Sequence, residues 1–255
     1  MSDDSAGAGT AMTPEPDPVA VPDGLVSAVV NLVGTGPVLL GAYTIAELTA
    51  VDAVVDFLEA RPSDEVLAEA VRSLAARQLL VGGADGEQVQ VRGDLGIAVA
   101  FQQRARLVLD ARVTGIQSGE PWRILLLPQP EQICLMVRID ALGVHELGLY
   151  QLEDALSQLA SWLPRGDRAD PAGDPDEILA GAHRSALVTV TRYTTQGSAE
   201  SAGTSTDLIL AARDGKLHEF RRDPADPGRL VPGPRDGPDV RARLDGLLAD
   251  NVRAG

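Results

Sequence analysis

The chain predicts an α+β fold: an antiparallel sheet made from two helix-βββ-helix halves in a quasi-twofold arrangement, with the helices on one face and a helix-plus-hairpin part in front. Three observations carry this expectation. First, Arg106–Val113 alternates, with Leu107, Leu109, Ala111 and Val113 on one side and Val108, Asp110 and Arg112 on the other, as a strand with a buried face does. Second, the order helix, three strands, excursion, helix fills 94–163 and recurs over 175–252, although the two stretches share negligible identity. Third, the 255 residues are 44% hydrophobic but only 3% aromatic, so the core is made of Leu, Val, Ala and Ile.

The first 23 residues are rich in Ser, Asp, Gly and Pro and lack a basic start and an apolar stretch, so 1–23 reads as a disordered tail. Residues 24–33 predict a helix, and Val38-Leu39-Leu40 an extended piece. Thr44 and Glu47 have the spacing of a capping box, opening a helix expected to reach Arg61 with Ile45, Leu48, Val51, Val54, Val55 and Leu58 inward. Ser63 follows Pro62 as an N-cap, with Asp64 and Glu65 in the first turn. Val66, Leu67, Ala70, Val71 and Leu74 recur at helical spacing. Leu79-Leu80-Val81 and Val89-Gln90-Val91 flank a Gly/Asp turn and predict a hairpin.

A helix from Asp94 to Arg104 then leads into the alternating strand. Trp122–Leu127 and Ile133–Ile139 are apolar strands turned by Pro128–Glu131, and Gly148–Tyr150 is a short extended piece. A helix runs from Gln151 to Leu163, ended by Pro164. The charged, Pro- and Gly-bearing stretch 164–176 predicts a linker. After it come a helix to Arg184, a strand at Ala186–Thr194, a polar loop at Gln196–Ser205, and strands at Asp207–Ala212 and Lys216–Arg222 about the turn Arg213-Asp214-Gly215. A final helix spans Asp239–Val252. The domain plan is therefore 1–23 tail, 24–163 first half with the helix–hairpin part, 164–176 linker, and 177–255 second half, the halves forming one compact domain.

Net charge is −15 and pI about 4.5. Such a surface repels phosphate on average, so neither nucleic acid nor an anionic membrane is the expected partner. No run of about 18 apolar residues occurs, so no membrane span is expected. The single cysteine, Cys134, lies between Ile133 and Leu135 and reads as a small buried hydrophobe in a reducing, cytoplasmic setting.

The chemistry-bearing residues each have a plainer reading. Gly34-Thr35-Gly36 is followed by Pro37 and an apolar run, a turn in place of a phosphate-binding loop. Gly197–Ser201 is a loop with no nucleophile-elbow pattern. His145, beside Glu146, reads as a surface residue near a turn; His183 lies near a helix end and His218 on an edge-like strand. The pairs Asp64-Glu65 and Glu153-Asp154 suit helix N-termini, and Asp52, Asp56 and Glu59 a solvated face. No catalytic, cofactor-binding or metal-binding residue is assigned, and no cofactor is expected. What remains is Arg138, Arg192, Arg213, Arg221 and Arg222, on or beside predicted strands of an acidic protein. A sheet face left free by the helices and carrying arginine beside apolar groups suits a protein partner.

The strings Leu74-Ala75-Ala76-Arg77-Gln78-Leu79-Leu80-Val81, Arg106-Leu107-Val108-Leu109-Asp110-Ala111-Arg112 and Leu208-Ile209-Leu210-Ala211-Ala212-Arg213-Asp214-Gly215, with Gly86 between the first two, set a layout over residues 40–252. That layout resembles the EspG-type ESX (type VII) secretion-associated proteins of actinobacteria. The resemblance implies an acidic cytosolic chaperone that holds secretion substrates of the PE–PPE type; no binding residue is carried over. The alternative expectation is a transcription regulator, with a winged-helix part at 42–92 and a sensing domain behind it. Against it, the helix that would enter a DNA groove carries Arg72 and Arg77 beside Asp64, Glu65 and Glu69.

Overall fold

The two faces of the strands differ in what they touch, and that decides the layering. Leu125, Leu127, Leu135 and Val137 join one apolar cluster, whereas Ile124, Leu126, Cys134 and Met136 join another. Successive side chains on a strand point to opposite faces, so both faces of the sheet are buried here. The computed structural model describes residues 21–53, 61–82, 89–170, 172–196, 199–234 and 236–253.

The first half comprises α1 (Asp23–Val33), β1 (Val38–Tyr43), α2 (Ile45–Ala50), α3 (Asp64–Ala76), the hairpin β2 (Leu80–Gly82) and β3 (Val89–Val91), and α4 (Gly93–Arg104). These precede β4 (Leu107–Thr114), β5 (Arg123–Pro128), β6 (Ile133–Ile139), β7 (His145–Gln151) and α5 (Leu152–Trp162). The second half comprises β8 (Asp167–Arg168), α6 (Pro175–Ala180), β9 (Arg184–Gln196), β10 (Ala199–Arg213), β11 (Lys216–Arg222), β12 (Leu230–Pro232) and α7 (Val240–Arg253).

The large sheet runs β1-β7-β6-β5-β4-β9-β10-β11-β12, antiparallel throughout except for β8, which lies parallel to β11. From β7 to β12 the order reads the same outward from the central β4–β9 pair, which is registered from Leu107↔Arg192 to Thr114↔Ser185. α5 and α7 follow the two halves and pack on one face through Leu156, Leu159, Leu244 and Leu247. α4 and α6 precede the halves and lie on the other face, through Leu95 and Phe101 in one case and Ile178 in the other. The α+β class, the large antiparallel sheet and the doubled order are therefore as expected, but each half gives four strands, β4–β7 and β9–β12, where three were expected, because the short stretches at Gly148–Tyr150 and Leu230-Val231 pair as strands. The helices, however, cover both faces. Strands that are apolar on alternate and intervening positions alike, such as Ile124–Leu127, need cover on each side.

Several boundaries differ from the expectation. The capping box forms, with Thr44 N–H donating to Glu47 Oε2 at 3.0 Å and Glu47 N–H to Thr44 Oγ1 at 3.2 Å. The helix it opens nevertheless stops at Ala50. Asp52 adopts φ 54° and Ala53 N–H returns to Leu48 O at 2.8 Å, a left-handed C-terminal cap. Residues 54–60 and the hairpin turn 83–88 lie outside the described residues, as do residues 1–20 of the expected tail, while Asp23 already belongs to α1. In α3 only Leu67, Ala70 and Leu74 turn inward; Val66 and Val71 are exposed, and Ser63 makes no side-chain cap bond. The expected linker is anchored by β8 and by Ala169 N–H to Leu217 O at 2.9 Å. The expected polar loop at Gln196–Ser205 is the far end of the β9–β10 pairing, registered to Ala199↔Gln196, with residues 197–198 outside the described residues. Threonine-rich chain keeps a strand going as readily as an apolar run does.

Candidate docking surface on the sheet

Asp110, Thr189 and Asp207 occupy one register row across β4, β9 and β10. Asp110 pairs with Leu125, a member of the α1–α4 cluster, so the row lies on the α4/α6 face. There it falls between the first-half helices and the small α6 cluster. Two strand spacings separate the carboxylates, about 10 Å.

Each carboxylate is closed by arginine. Arg123 donates from Nε to Asp110 Oδ1 at 2.9 Å and from Nη2 to Oδ2 at 2.8 Å, and Arg112 Nε reaches Oδ2 at 3.3 Å. Thr189 Oγ1 donates to Asp207 Oδ1 at 2.9 Å, and Arg222 Nε to Asp207 Oδ2 at 2.5 Å. Three guanidiniums and two carboxylates thus line the strip. Arg123 is buried, whereas the Arg112 and Arg222 side chains are 46% and 47% exposed. Leu187, Thr191 and Tyr193 complete the strip as half-buried neighbours. Bidentate pairing fixes the orientation of Arg123, whereas Arg112 and Arg222 each reach their carboxylate through one bond.

Of the five arginines singled out from the sequence, only Arg222 lies on this strip. Arg138 is on the α5 face, 5.7 Å from the Trp162 ring and paired to Glu146 at 2.5 Å. Arg192 donates to Asn251 O at 3.2 Å, at the end of α7, and Arg213 to Glu177 O at 2.9 Å, at the end of α6. Arg221 is exposed and, by alternation with Phe220, points to the α5/α7 side. Arg112 and Asp110 stood on the polar side of the alternating strand 106–113, which was the available signal for them; nothing local marked Arg123, Thr189 or Asp207.

The histidines separate. His145 is buried on β7, not on a surface turn, and its Nδ1–H donates to Gly143 O at 2.9 Å. Burial pushes its pKa below the ordinary value, favouring the neutral ring. His183 is exposed ahead of β9, and His218 is half-buried, stacked on Phe220 at 6.3 Å. Cys134 is fully buried, and its thiol is pushed up to about 12 by that burial. Among the described residues no group of three or more His, Cys, Asp or Glu is placed to hold a metal ion. A cavity of ≈ 20 Å³ near Arg168, Leu217 and Phe220 contains Glu219, already paired to Arg168 and Arg243 at 3.0 Å each.

A second feature lies at the end of β6–β7. Leu142 is 88% exposed at the apex of a turn whose Asp140 Oδ1 accepts from Leu142 N–H at 2.8 Å and Val144 N–H at 2.9 Å. Trp122, 37% exposed, bonds the same end through its N–H to Ile139 O. The helix–hairpin expected to read DNA does form, but Arg77 is drawn to Glu47 at 2.6 Å and Arg72 to Glu69 at 3.1 Å. Through Leu48, Leu74 and Leu80 it belongs to the same core as β5 and β6. Among the described residues no helix is long and apolar enough to cross a membrane. No protein-family model matches the chain, and no curated protein matches it.

Proposed function

We propose that this chain is a cytoplasmic protein-binding module, a chaperone or adaptor that holds type VII secretion substrates of the PE–PPE kind. The observation that carries the reading is the strip Asp110–Thr189–Asp207 with its exposed rims Arg112 and Arg222, set between the first-half helices and α6 on one face of the doubled sheet. Arginine beside half-buried apolar groups is what a specific protein interface uses. The layout resemblance supplies the class of client, and the acidic charge fits a soluble holder of protein better than a binder of phosphate.

The test is co-expression of the full chain with a tagged PE–PPE pair, followed by affinity capture and titration. Co-elution in a fixed ratio is expected, and Arg112→Glu with Arg222→Glu weakens the complex about tenfold or more. A chain that captures no such pair, and instead shifts duplex DNA with a steep loss as salt rises, overturns this reading in favour of a regulator.

A further inference from the structure

We draw no further inference here: the strongest candidate, the surface patch where Trp122 and Leu142 stand exposed at the β6–β7 turn end of the sheet, carries nothing because nothing in the structure shows what covers it.

Discussion

Arg77, just past the end of α3, donates from Nη2 to Glu47 Oε1 on α2 at 2.6 Å, and Ser73 Oγ donates to the same oxygen at 2.8 Å. Glu47 Oε2 meanwhile accepts from Thr44 N–H. One buried carboxylate therefore closes its own helix and ties the next helix to it.

Replacing Glu47 removes all of these bonds at once. Glu47→Ala is expected to destabilise the chain by about 2–4 kcal/mol, because Ser73 and the Thr44 amide lose a charged acceptor. Burial alone would raise the pKa of Glu47, but the Thr44 amide, the Ser73 hydroxyl and Arg77 outweigh it and hold it below the ordinary value. A carboxylate depressed in the fold stabilises fully above its unfolded value near 4.5 and loses that contribution as pH falls below it. Urea unfolding at pH 7 and pH 4 checks this. The wild type should lose more stability between the two than Glu47→Gln does.

His145 works in the same direction by a different route. Its folded pKa lies below 6.5, so the unfolded chain takes up the proton first. The stabilisation is complete above about 6.5 and declines as pH falls through that value. An NMR titration of the imidazole should show a midpoint below 6.5 with Nδ1 protonated in the neutral form. His145→Asn should flatten the stability profile between pH 7 and pH 5, and a normal midpoint would contradict the burial.

Cys134 offers a probe of global opening. A thiol raised to about 12 and closed from solvent has almost no thiolate at neutral pH. Reaction with a disulfide reagent should be undetectable in the native chain and should proceed at the unfolding rate in intermediate urea. Rapid native labelling would show that β6 is not in the core.

How much of this was legible in the residues depends on the range of the interaction. Period-two alternation placed β4 to within a residue, apolar runs about the Pro128–Glu131 turn placed β5 and β6 as closely, and Asp214-Gly215 gave a hairpin whose two central residues do take φ 51° and 73°. The two-sided cover was misread because Ile124–Leu127 says only that a strand is buried, not what lies above and below it. The end of α2 was missed because Asp52, left-handed just past that helix, is not the glycine that marks such caps. The strip was half visible: Asp110 and Arg112 share a strand, but Asp207 joins them only through Thr189, by way of the β4–β9 pairing between residues far apart in the sequence. His145 was misjudged because the strand containing it begins three residues before Gly148.

The strip also dictates which substitutions can test binding without unfolding the chain. Arg123 is 5% exposed and its charge is met by Asp110 through two bonds. Asp110→Asn or Asp110→Ala takes two charge-assisted bonds away from that buried cation, at a cost of about 3–5 kcal/mol. Such a variant should lower the melting temperature by several degrees and lose binding for reasons unrelated to contact. Arg112→Ala removes a half-exposed group from a carboxylate that Arg123 still satisfies, so its cost should stay well below that of Asp110→Asn. A thermal melt of the two variants side by side decides the matter. If Arg112→Ala proves as damaging as Asp110→Asn, then Arg112 carries the fold and its exposed rim is not available to a partner; if it is silent, any binding it loses belongs to the interface.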